Sequence, residues 1–161
     1  MKSDDVIREL HHPDALELLH ASPLLRLAYA GLDGFPRVVP IGFYWNGERV
    51  IICTATTAPK VGALRSRPHV ALTIDTGSTP ETARSLLVRG VAELETVDGV
   101  PDEYLAASTK SLSQSTRAAF EEAVRSTYKQ MVRIAIEPNW ARYFDFGAGR
   151  LPQFLLDLSE N

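Results

Sequence analysis

The stretch TATTAPKVGALRSRP, Thr54 to Pro68, gathers Thr54, Thr56 and Thr57 with Lys60, Arg65 and Arg67 where a β-branched run gives way to a helical pattern. Hydroxyls and cations at a strand-to-helix junction suit one kind of chemistry, the seating of an oxyanion. A helix start exposes unpaired amides and a partial positive charge, so a phosphate there satisfies amides, hydroxyls and an ammonium together. Lys60 falls in the first turn, where a cation opposes the helix dipole unless an anion lies between. Arg37, on a strand expected to neighbour the one ending at Thr54, is a further candidate cation. The alternative is a solvated basic helix face whose start the threonines cap. On spacing alone both readings stand.

Other chemistries find little support. His11, His12, His20 and His69 are scattered without ligand spacing, so no metal site is expected. There is no nucleophile elbow and no G-x-G-x-x-G opening a helix after a strand. Cys53 is the single cysteine, which excludes an intrachain disulfide and reads as a buried strand residue. The 161 residues carry a net charge of −3, which argues against nucleic acid or an anionic membrane as partner. No basic, aromatic-rich face marks a nucleic-acid-binding barrel. The apolar runs are too short to span a bilayer, and the acidic start MKSDDVIREL does not read as a signal peptide. These features together predict a cytoplasmic protein of one domain, 1–161, with a helical insert at about 101–129.

The elements that must position the junction follow from periodicity and turn chemistry. HPDALELLHAS reads as a helix opened by Pro13 and Asp14. LLRLAYAG, PRVVPIGFYW and RVIICTA read as strands joined by Asp33-Gly34 and Asn46-Gly47 hairpins, a three-strand meander. Pro40 inside the second strand demands an edge or a bulge. APKVGALRSRP is a short helix stopped by Pro68. HVALTID alternates as a strand. RSLLVRGVAELETV is a long one, with Gly90 marking a bulge or a close backbone approach. PDEYLAAS and SQSTRAAFEEAVRSTYK read as helices, the latter with Phe120, Val124 and Tyr128 on one side. MVRIAIEP and WARYFDF read as two closing strands around a proline turn, and LPQFLLDL as a last helical turn or packing arm. About seven strands, mostly joined by hairpins, make a mainly β protein: an antiparallel barrel or sandwich with peripheral helices.

The ordered set Asp33-Gly34, Arg37, Asn46-Gly47, Thr54, Lys60, Leu64 and Pro68 resembles the pyridoxamine 5′-phosphate oxidase-like family, the FMN-binding split β-barrels. The match covers Leu25 to Asp75 and extends through RSLLVRGVAELE, and MVRIAIEPNWARYFDF looks like the family's last strands. The resemblance implies a homodimer with two cofactor sites at its interface. It implies that Arg37, Val38, Val39 and Pro40 run beside the isoalloxazine ring. Thr54 and Lys60 match the phosphate-holding positions, and Cys53 and Pro59 adjoin them. Ser85 stands where a glutamine often contacts the ring, and Pro59 precedes Lys60 where the pyridoxamine oxidases have arginine. Both departures point away from pyridoxamine phosphate chemistry. The A-P-K form looks more like the branch that uses a deazaflavin coenzyme, F-420, or FMN for reductions.

The function so implied is a flavin- or deazaflavin-dependent oxidoreductase that transfers hydride to or from a small organic molecule, the cofactor carrying the chemistry. Trp140 and Tyr143 are expected to pack an interface or to wall the partner's pocket, and Trp45 to lie on the barrel surface or in the dimer core. Arg89 would reach the cofactor's edge or pair with Glu93. No catalytic acid or base is assigned. The alternative is a non-catalytic FMN or haem carrier or sensor on the same barrel, for which His69 is the axial-ligand candidate.

Overall fold

The structure, a computed structural model, describes residues 1–159. Seven strands form one sheet: β1 Leu24–Ala30, β2 Pro36–Gly42, β3 Tyr44–Trp45, β4 Val50–Ala55, β5 His69–Thr76, β6 Arg84–Asp98 and β7 Gln130–Asp145. Their order is β2-β1-β5-β6-β7-β4-β3, with every pairing antiparallel. Six helices flank the sheet: α1 Ser3–Leu10, α2 Pro13–Ala21, α3 Pro59–Ser66, α4 Asp102–Thr109, α5 Gln114–Thr127 and α6 Gln153–Ser159. None is long and apolar enough to cross a membrane.

The two outer strands of this sheet, β2 and β3, are separated in the chain by Phe43 alone. The sheet must therefore curl until its edges meet at that residue, which is fully buried. This closure turns an open sheet into a barrel. Inside it lie Leu25, Leu27, Val50, Ile52, Ile74, Leu86, Val88, Ile134, Ile136 and Tyr143. A second apolar cluster sits outside β4 and β7, where Ile51, Cys53, Met131 and Ala135 pack under the α4–α5 insert through Val124, Tyr104, Phe120 and Tyr128.

Both hairpin signals hold, with Gly34 at φ 86° and Gly47 at φ 101°. The meander does not. The segment expected as one strand, Pro36–Trp45, breaks at Phe43, and its halves pair with β1 on one edge and β4 on the other. The expected pair of closing strands is instead one sixteen-residue strand. Pro138 lies opposite Gly90, and the register shifts between Arg89 and Gly90, so the proline marks a bulge rather than a turn. A Cβ on Gly90 would lie 2.4 Å from the Glu137 carbonyl oxygen, which is the close approach the glycine permits. The acidic N-terminus forms α1, a helix not anticipated; Asp4 and Asp5 favour its first turn, and Val6 and Leu10 dock on the barrel.

Candidate functional site at the barrel split

β3 pairs with β4 through Tyr44–Ile51 and Trp45–Val50. Extending that register would set Gly42 against Cys53, Ile41 against Thr54 and Pro40 against Ala55. Those six residues do not pair. They face each other across a cavity of about 450 Å³. Pro40 accounts for the opening, because proline sits on an edge strand with its missing N–H turned from its one partner, leaving that edge without a donor. The barrel is thus split between β2 and β4, and the size falls within the usual range of small-molecule sites. The insert roofs the split with Tyr104, Phe120 and Tyr128. Tyr104 stacks on Phe120 with centroids 6.2 Å apart and meets Tyr128 edge-on at 6.4 Å.

Cys53 lines this cavity and is only 7% exposed. Burial pushes its thiol up to about 12, helped by the nearby Glu103 carboxylate and opposed by Arg133. Glu103 and Arg133 are themselves paired at 2.9 Å. Burial likewise raises the Tyr104 phenol, with Tyr128 and Cys53 adding to the effect. The thiol and the phenol that the split presents are therefore neutral, beside the paired Glu103 carboxylate that also lines it.

Beyond Ala55 the chain enters α3. Ala58 is its N-cap, and no side chain caps the helix. The threonines thus do not cap it. Pro59 and Lys60 open the first turn, which contains no acidic residue. Lys60 is half-buried and makes no hydrogen bond or ion pair among the described residues; burial alone lowers its ammonium below the ordinary lysine value. Arg37 lies opposite Tyr29 in the β1–β2 ladder and so shares its face. Both line a second cavity of about 270 Å³ with Gly31, Asp33, Pro59 and Ala63. Arg37 Nη2 donates to Asp33 Oδ2 at 2.6 Å. Arg67 donates to the Gly31 carbonyl, and Arg65 to Thr96 Oγ1 at 3.4 Å.

The structure gathers some expected site residues and disperses others. Pro40, Cys53 and Thr54 line the split, and Arg37 and Pro59 meet in the second cavity. Val38, 65% exposed, lines a shallow hollow of about 360 Å³ on the outer face of β1, β5 and β6 with Arg89 and Trp140. Val39 packs against the barrel core. Lys60 and Ser85 line none of these cavities; Ser85 lies between Asp75 and Phe144 in the sheet. Arg89 stacks over Trp140 at 4.4 Å, while Glu93 takes Arg49 at 2.6 Å. Trp45 is buried in the core beside His11, and Tyr143 lies inside the barrel. His69 is exposed. The aromatic roof was not read from the sequence as part of the site, although the spacing of Phe120, Val124 and Tyr128 had marked an apolar helix face.

The pyridoxamine 5′-phosphate oxidase family model matches residues 12–143, from α2 through the Tyr143 position of the last strand. The chain belongs to that family. Its fold is the family's mainly β barrel. Among solved structures of this fold, an F420 reductase is 26% identical at a TM-score of 0.60, covering 78% of this chain and 93% of that one. The conserved hypothetical protein Rv2991 from Mycobacterium tuberculosis matches at 19% identity and a TM-score of 0.62, covering 94% and 89%. The haem storage protein HutZ from Vibrio cholerae matches at 18% and 0.56, covering 80% and 90%. No curated protein matches.

Proposed function

We propose that this chain is a flavin- or deazaflavin-dependent oxidoreductase that holds the cofactor ring in the split between β2 and β4 and its phosphate at the start of α3. The observation that carries this reading is a cavity of about 450 Å³, bounded by Pro40–Gly42 and Cys53–Ala55, which do not pair with each other, with Lys60, unpartnered among the described residues, in the first turn of the helix that follows Ala55 in the chain. Family membership supports a cofactor of this kind, and the likeness to an F420 reductase supports the deazaflavin form.

The residues present suit such a group. Successive residues of a strand turn their amides to opposite edges, so Ile41 spends its amide on Leu25 of β1 while Gly42 turns its own to the free edge of β2, open to a ring edge. Tyr104 and Phe120 offer flat apolar surface to the ring and exclude water from it. Lys60, the Thr54 hydroxyl and the uncapped amides of α3 form a phosphate seat. When bound, the cofactor supplies the hydride chemistry. The chain binds it, orients it and keeps one face open for a small organic molecule. His69, the residue a haem reading needs, lies exposed at the start of β5 and outside these cavities.

A second copy of the chain completes this reading. Leu32, Phe35, Val38 and Leu24 leave more than half of their surface open along β1 and β2, and apolar exposure of that extent on one side suits a partner. Titrating FMN and the deazaflavin coenzyme into the purified protein tests the proposal. Saturable binding of at least one, seen as quenched ring fluorescence, supports it; no binding of either overturns it. Light scattering checks the dimer.

A further inference from the structure

We propose that Asp33 sets the charge this site accepts, matching it to a singly charged phosphodiester rather than to the dianionic monoester of FMN. The inference rests on the flavin reading above and names the cofactor class within it.

Two cations stand near the start of α3, Lys60 and Arg37. Arg65 belongs to the last turn of α3, and Arg67 is its C-cap, held by the Gly31 carbonyl. Of the two near the start, only Lys60 is unpaired among the described residues. Arg37 is engaged by Asp33 Oδ2 at 2.6 Å and also donates to the Phe35 carbonyl at 3.2 Å. Asp33 is not a drifting surface charge. Its Oδ1 accepts the Phe35 amide at 3.1 Å within the β1–β2 hairpin turn, which fixes the carboxylate beside the guanidinium. The Arg37 hydrogen bond and the Phe35 amide hold its carboxyl below the usual range, so it stays ionised at neutral pH. The corner therefore offers one net positive charge.

A phosphate monoester such as FMN has its second pKa near about 6 and is close to doubly charged at pH 8. Its extra charge finds no free cation here and approaches the Asp33 carboxylate. A phosphodiester carries one charge at any working pH and is matched by Lys60. The linkage that joins the deazaflavin coenzyme to its side chain is of this diester type.

The test uses two probes, FMN and the methyl ester of its phosphate, on the wild-type protein and on Asp33→Asn. Asparagine keeps an acceptor for the Phe35 amide and loses the charge. The wild type is expected to bind the methyl ester roughly tenfold more tightly than FMN at about pH 8, with the gap closing at about pH 5.5 as FMN gains a proton. Asp33→Asn is expected to bring FMN within about twofold of the ester at pH 8. A wild type that prefers FMN at pH 8, or that binds both probes equally, overturns the assignment while the flavin reading stands. So does an unchanged ratio in Asp33→Asn. Failure of both probes to bind either protein while the deazaflavin coenzyme binds overturns the assignment alone; failure of all three ligands overturns the flavin reading with it.

Discussion

Arg150 Nη2 donates to both carboxylate oxygens of Glu9 at 2.8 Å each, tying the N-terminal helix to the end of the barrel. Glu9 is well covered, with 13% of its side chain exposed, and it also accepts the Tyr143 amide at 2.8 Å and Arg142 at 3.4 Å. Losing the carboxylate strands a backbone N–H and leaves Arg150 without its anion. Glu9→Ala is expected to lower unfolding free energy by about 2 kcal/mol, the scale of a charged hydrogen bond removed from a half-buried site. Urea denaturation reads this directly, and a loss below about 0.5 kcal/mol would show that α1 does not depend on the pair.

Two glycines are expected to respond to alanine with opposite sign. In β6, Gly90→Ala drives a Cβ into the Glu137 carbonyl at 2.4 Å and Ile136 Cγ2 at 2.9 Å. Backbone must shift there, at a cost of about 2–3 kcal/mol. In α3, a Cβ on Gly62 meets nothing closer than Leu32 Cδ1 at 3.8 Å. Gly62→Ala should stabilise by about 0.5–1 kcal/mol through helix propensity. Thermal melts of the two variants check the pair.

Cys53 is expected to be a slow thiol. Its folded-state value of about 12 stands above the ordinary 9.0, so the folded protein holds the proton that the unfolded chain releases. The sign follows from linkage: the contribution is fully present below pH 9 and is lost as pH rises from 9 toward 12. Comparing wild type with Cys53→Ala across that window should show a steeper alkaline loss in the wild type. A thiol reagent at pH 8 should label the folded protein far more slowly than the unfolded one.

Local chemistry made much of this fold readable in the sequence. Asp33-Gly34 and Asn46-Gly47 declared their turns, Pro59 and Pro68 bracketed α3, and Gly90 announced a bulge or a close backbone approach, both of which are present. Pro40 required an edge or a bulge, and β2 is an edge. What stayed hidden was non-local. Nothing within Pro36–Trp45 says that its halves pair with different strands, because the break at Phe43 is imposed by closure of the whole sheet. Pro138 looked like a turn because a central strand tolerates proline only at a bulge, and the bulge is defined by its partner, Gly90. Helix α1 had a local signal, Val6 and Leu10 behind Asp4 and Asp5, that was read only for what it excluded. At the candidate site, the hydroxyl-and-cation cluster around Lys60 was visible. That Arg37 is spoken for by Asp33, and that the insert roofs the split, required the third dimension.

If Lys60 holds a cofactor phosphate beside the split, comparing riboflavin with FMN isolates the phosphate from the ring. Titration of both into wild type and Lys60→Ala should show FMN binding weakened about tenfold by the substitution, the scale of one charge-assisted contact, while riboflavin binds both proteins alike. FMN affinity unmoved by Lys60→Ala, or riboflavin affinity falling in step with it, would mean that Lys60 holds no phosphate.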